Sequence, residues 1–186
     1  NNLKNKNYFL VALHPYKQEK KNILKDIKIL LNALKNIKNI NLIFTYPNHD
    51  INSDLIINEI ESFNKKHNNS FLFKNLGRKL FLSVMKHSLL LIGNSSSGII
   101  EAPSLNIPVI NLGNRQNGRL MSSSIINCNF NKTQIQRSIK KATSKKFLQN
   151  ISKNNNPYFK KNTVKNIINI LNKVKKYNTE KSFYDL

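Results

Sequence analysis

Leu89-Leu-Leu-Ile-Gly-Asn-Ser-Ser-Ser-Gly-Ile-Ile-Glu101, followed closely by Val109-Ile-Asn-Leu112, decides the fold of this chain. Leu89 to Ile92 are apolar on successive residues, without the alternation of a sheet that faces water on one side. The run passes through Gly93 and small polar residues into a predicted helix, Ser97 to Leu105, and a further strand, Val109-Ile-Asn-Leu112, follows. Strand, helix and strand in so short a span make a β-α-β unit, whose crossover is right-handed and whose strands lie parallel.

The same alternation extends in both directions. Tyr8-Phe-Leu-Val-Ala-Leu13 reads as a first buried strand, stopped by His14-Pro15. Between Lys20 and Lys38, Ile23, Leu24, Ile27, Leu30, Leu31 and Leu34 recur at three and four, which places them on one helical face. Asn41–Tyr46 is a strand ended by Pro47, and helical spacing returns at Leu55, Ile56, Ile57, Ile60 and Phe63, with Asn52, Ser53 or Asp54 as the cap. A short strand at Ser70–Phe73 and a helix at Lys79–His87 lead to the opening stretch. Beyond it come an edge strand at Ser124–Asn127 and helices at Lys132–Thr143 and Thr163–Lys176. Ser144–Asn162 shows little periodicity and reads as a connection. The expectation is one Rossmann-like, doubly wound α/β domain over residues 1–177 and a tail over 178–186, with Leu10, Ala12, Ile43, Leu90, Ile92, Val109 and Ile110 inside.

Composition narrows the function. The 186 residues carry 31 Lys+Arg against 9 Asp+Glu, a formal charge of +22, which by itself points to nucleic acid or another polyanion. Only four of the cations are arginines, Arg78, Arg115, Arg119 and Arg137, whereas base and phosphate recognition favours the guanidinium fork. The Lys, Asn and Ile excess runs evenly along the chain, as an AT-rich coding sequence would produce, so composition argues against nucleic acid as a dedicated partner. The single cysteine, Cys128, excludes an internal disulfide and a multi-cysteine metal site. With no apolar run near ~18 residues and no apolar signal core, a cytoplasmic protein without a membrane partner is expected. The first residue is not Met and a strand begins almost at once, so the chain reads as a fragment.

Ligands of open α/β sheets sit at the carboxyl ends of the strands. There the sequence places His14, Asn48-His49-Asp50, Leu76-Gly77-Arg78, Gly93–Gly98 and Gly113–Arg119. Ser95, Ser96 and Ser97 open a helix, where unpaired N–H groups and hydroxyls suit a phosphate; the plain alternative is that they only cap it. The stretch is neither a Walker loop nor a G-x-G-x-x-G turn. Glu101, one turn further on amid apolar residues, suits ribose hydroxyls or else a solvated helix face. Arg115 and Arg119 share one Gly-flanked loop and suit a phosphate or a salt bridge. His14, aimed by Pro15, suits a phosphate donor, an acid or base, or a structural bond. His49 and Asp50, without an H-E-x-x-H or cysteine cluster, give no metal expectation.

Ser95 to Arg119, with His14-Pro15 and Tyr46-Pro47-Asn48-x-Asp50 upstream in the same order, closely resembles the hydrolysing UDP-N-acetylglucosamine 2-epimerases of sialic-acid synthesis. That family is similar in fold to GT-B glycosyltransferases, in which two Rossmann-like domains face each other across a nucleotide-sugar, and this chain resembles the second domain. The resemblance implies that Ser95, Ser96 and Gly98 meet the diphosphate, Arg115 the phosphate and Glu101 the ribose. It also implies His14 facing the sugar-diphosphate, with Asn48 and Leu76 beside the nucleoside. The reaction it implies is elimination of UDP and hydration of the resulting glycal, giving UDP and N-acetylmannosamine. Neither metal nor cofactor is implied. The main acid and base residues belong to an N-terminal domain absent here, so the chain alone is expected to be inactive. The full enzyme is left room to be a homo-oligomer. Alternatives are an epimerase of a diacetamido nucleotide-sugar of the legionaminic-acid type, a GT-B transferase half, or a noncatalytic basic module.

Overall fold

The structure, a computed structural model, describes residues 7–16, 19–151 and 156–174. Six strands, β1 (Tyr8–Ala12), β2 (Asn41–Thr45), β3 (Ser70–Phe73), β4 (Leu90–Gly93), β5 (Val109–Leu112) and β6 (Ile125–Cys128), form one sheet in the order β3-β2-β1-β4-β5-β6. Every pairing is parallel. This is the doubly wound Rossmann order, whose direction of winding reverses between β1 and β4.

The pleat divides each strand between two helical layers. Phe9 and Val11 face helices α1 (Lys20–Leu34), α2 (Ser53–Lys66) and α5 (Lys132–Ala142), in a core with Ile27, Leu30, Ile60 and Ile135. Tyr8, Leu10 and Ala12 face the opposite side, where α3 (Gly77–His87) supplies Met85. The seven strand residues expected inside are all at most 2% exposed, as strands covered on both faces require. Tyr8 also donates its hydroxyl to the Val84 carbonyl at 2.7 Å, anchoring β1 to α3.

Three expectations about helices need correction. Ser97 to Leu105 is not one helix but a single turn, α4 (Ser97–Ile100), and a 3-10 turn (Ala102–Leu105). Pro103 is the physical reason: it has no N–H to donate, and its ring clashes with the carbonyl four residues back in a continuing α-helix. Within Ser144–Asn162, α6 (Lys145–Ile151) interrupts the expected connection. Ser144 Oγ accepts the Phe147 N–H at its start and Ile151 is buried at its end. Two turns are too short to display a period. The first helix stops at Leu34 rather than Lys38. The last described helix is α7 (Thr163–Lys173); the expected end at Lys176 lies, with the expected 178–186 tail, outside the described residues.

Between β4 and α4 the chain presses against β1. Gly93 has φ +146°, and a Cβ there would lie 1.9 Å from the Ala12 carbonyl oxygen, so only glycine lets the two strand ends meet. That contact brings the ends of β1 and β4 together at the switch point.

Candidate functional site

A cleft of about 360 Å³ opens over the carboxyl ends of the strands, within the size range of small-molecule sites. The exit of β1 gives it His14, and the exit of β2 gives Tyr46 and Asn48. Leu76 and Arg78 come from the β3–α3 turn, Ser95–Ser97 and Glu101 from the β4–α4 region, and Arg115 from the loop after β5. Of the residues singled out in the sequence, His14, Asn48, Leu76, Ser95, Ser96, Glu101 and Arg115 therefore line one cavity, although five separate loops carry them.

Gly98 does not line it. Its N–H is already bonded to the Ser95 carbonyl at 3.1 Å, and a Cβ there would lie 2.9 Å from Val109 Cγ1. The glycine lets the α4 turn pack on β4 and β5. Arg119 is exposed and also outside the lining, so of the two loop arginines only Arg115 reaches the cleft. Arg78, placed at this strand end by the sequence, lines the cleft beside Lys74 and Phe81, neither of which the sequence had singled out.

His14 has a defined chemical state. Its Nδ1 accepts the Asn48 backbone N–H at 3.1 Å, and since a peptide N–H can only donate, the neutral ring carries its proton on Nε2. Burial pushes the imidazole pKa down to about 4; the Arg115 charge adds to this and Asp50 opposes it. At neutral pH the ring is thus an uncharged Nε2–H donor. It has neither a free Nε2 lone pair to take a proton nor an extra proton to give.

Asn94 escaped the sequence reading of function altogether. It is 0% exposed, and its side chain bonds the His14 backbone twice: Oδ1 accepts the His14 N–H at 2.7 Å and Nδ2 donates to the His14 carbonyl at 2.8 Å. Its own carbonyl accepts Arg115 Nη1 at 3.0 Å and Gln116 Nε2 at 2.8 Å. Gln116 is 2% exposed, and its Oε1 has no hydrogen-bond partner among the described residues. The available signal was a polar residue directly behind the buried strand and Gly93, a place where an unpaired amide is expensive.

Comparison with known proteins gives the family and the fold. Residues 1–172 match the family described as UDP-N-acetylglucosamine 2-epimerase. The chain is 36% identical over 184 residues to the polysialic acid biosynthesis protein P7 of Escherichia coli, covering 97% of itself and 47% of that protein. It is 44% identical over 147 residues to the GDP/UDP-N,N'-diacetylbacillosamine 2-epimerase (hydrolyzing) of Campylobacter jejuni, covering 78% of itself and 38% of that protein. Among solved structures, the S. aureus MnaA-UDP co-structure superposes with a TM-score of 0.71 at 18% identity, over 96% of this chain and 48% of that one. The chain thus spans less than half the length of the relatives it matches. No helix among the described residues is long and apolar enough to cross a membrane.

Proposed function

Because the chain belongs to the UDP-N-acetylglucosamine 2-epimerase family, we propose that it is the nucleotide-sugar-binding half of a hydrolysing 2-epimerase. The observation that carries this reading is the convergence of His14, Ser95, Ser96, Glu101 and Arg115 on one cleft at the switch point of the sheet. On this reading the Ser95 and Ser96 hydroxyls and the free edge of the Arg115 guanidinium hold the diphosphate. Glu101 accepts from the ribose hydroxyls, and Asn48 and Leu76 flank the nucleoside.

In the proposed reaction a base removes the proton at sugar carbon 2. The electron pair left behind forms the carbon 1–carbon 2 double bond as the bond from carbon 1 to the diphosphate oxygen breaks and UDP departs. Water then adds across the glycal, hydroxyl to carbon 1 and proton to carbon 2 on the opposite face, giving N-acetylmannosamine. This half supplies stabilisation of the leaving diphosphate: the cation of Arg115 and the fixed Nε2–H of His14 meet the charge that develops there. Neutral His14, its Nδ1 already engaged, is suited to donate a hydrogen bond rather than to shuttle a proton. The acid and base of the carbon 2 chemistry belong, on this reading, to a facing domain of GT-B type.

Along α7, Val164, Ile167, Ile168, Ile170 and Leu171 are 49–71% exposed, an apolar surface that ordinarily rests on another element. The similarity to the diacetylbacillosamine epimerase favours a second reading, in which the same half holds a diacetamido nucleotide-sugar. The chemistry is unchanged, because the diphosphate and ribose contacts are common to both. The test is complementation. The 186-residue chain is mixed with a matching N-terminal half, and release of UDP and free amino sugar is followed from UDP-N-acetylglucosamine and from the diacetamido sugar. Turnover only in the mixture supports the half-enzyme reading; turnover by the chain alone overturns it.

A further inference from the structure

The geometry points to Asn94 as a positioning residue: its side chain fixes His14 while its carbonyl holds Arg115, so that the two groups facing the leaving diphosphate share one buried reference point. The inference rests on the nucleotide-sugar reading and deepens it.

β1 ends its regular pairing with Ala12 opposite Gly93, and the next residues of both strands leave the sheet. A loop at that point is ordinarily free to shift. Here the Asn94 carboxamide presents one acceptor and one donor to the N–H and C=O of His14, at 2.7 and 2.8 Å, as a paired strand residue would. The ladder is in effect carried one residue further by a side chain, and the imidazole leaves the backbone at a set angle. Its ring is then pinned by the Asn48 N–H. Pro15 is also buried, so the exit is held on both sides of His14.

The other end of Asn94 does different work. An arginine in a glycine-flanked loop has many rotamers, and ordering it on ligand binding is costly. Bonding Nη1 to the Asn94 carbonyl meets that cost before the ligand arrives and leaves the rest of the planar fork for a phosphate. Gln116, bonded to the same carbonyl, flanks the arginine from inside the protein. A loop asparagine with only a turn-forming role would cap a neighbouring N–H. This one spans 80 residues of sequence to His14, while its carbonyl is reached from 21 and 22 residues downstream.

The test is a double-mutant cycle on UDP binding to the 186-residue chain, with His14→Ala, Asn94→Ala and both together, read beside the NMR titration of the His14 ring. Alanine at 94 keeps the backbone carbonyl for Arg115 and removes only the hold on His14. Asn94→Ala is expected to weaken UDP about tenfold, to leave uridine unchanged, and to cost no further affinity once His14 is alanine. The His14 titration should rise from about 4 toward 6.5 as the ring gains solvent and leaves Arg115. A folded Asn94→Ala with unchanged UDP affinity and an unchanged His14 titration overturns the proposal, as does a loss that adds in full to that of His14→Ala. Asn94→Ser, which keeps a hydroxyl, is read in the same two ways should the alanine variant not fold. Failure of the wild-type chain to bind UDP overturns the nucleotide reading instead, and the His14 titration still decides the role of Asn94.

Discussion

Removing the His14 imidazole should flatten one part of the chain's acid sensitivity. In the unfolded chain His14 takes up a proton near 6.5, whereas in the folded chain burial and the Arg115 charge delay this to about 4. Between those values the unfolded state binds more protons. His14 therefore contributes stability that is fully present above 6.5 and is lost as the pH falls through about 4. One pH unit of difference is worth about 1.36 kcal/mol, so the gap sets a ceiling of about 3.4 kcal/mol. The ring is only partly covered, and screening brings the expected loss down to about 2 kcal/mol. Urea unfolding of wild type and His14→Gln at about pH 7.5 and about pH 4 isolates it, because His49, His67, His87 and the carboxylates are common to both. Wild type should lose about 2 kcal/mol more than the variant over that interval. Equal losses, or a His14 ring that titrates near the ordinary 6.5, would refute both the neutral-donor state and the burial on which it depends.

Arg115→Lys should cost about 1–3 kcal/mol of UDP affinity with little change for uridine, since an ammonium cannot hold the Asn94 carbonyl and a phosphate in one plane; paired titrations check it, and equal losses would make Arg115 a scaffold residue. Glu101→Gln should weaken UDP far more than free pyrophosphate, which has no ribose to donate, and competition binding of the two ligands reads the difference. Gly93→Ala should unfold the switch point, because the added methyl falls 1.9 Å from the Ala12 oxygen; a thermal melt within a degree or two of wild type would contradict the close approach.

The sheet was legible because burial on both faces leaves a plain mark: Tyr8–Leu13 and Leu89–Ile92 are apolar without alternation, Val109–Leu112 is broken only by Asn111, and each stops at Gly or a polar residue. Longer helices announced themselves through repeated contacts with that sheet. What stayed hidden was either too short for a period, as in Lys145–Ile151, or interrupted by one residue, as at Pro103. Ser95 stood out by its place between an apolar strand and a predicted helix, and Glu101 and Arg115 because their residue types are costly or scarce where they occur. Gly98 was assigned to the ligand although its lack of a side chain serves packing against Val109, which only the contact between turn and strand reveals. Asn94 was invisible as a functional residue for a related reason. Asparagine is abundant in this chain, and nothing local distinguishes one that reaches back to β1 from one that merely forms a turn.

On the proposed reading, the cleft at the β1–β4 switch point receives the diphosphate end of a UDP-sugar. Calorimetric titration of the 186-residue chain with UDP, uridine and duplex DNA, at about 0.15 M and about 0.3 M salt, tests it directly. One saturable UDP site is expected, with little heat from uridine and a UDP affinity that changes little between the two salts. No saturable UDP binding, together with DNA binding that collapses steeply with salt, would contradict it and return the chain to the class of basic polyanion-binding modules.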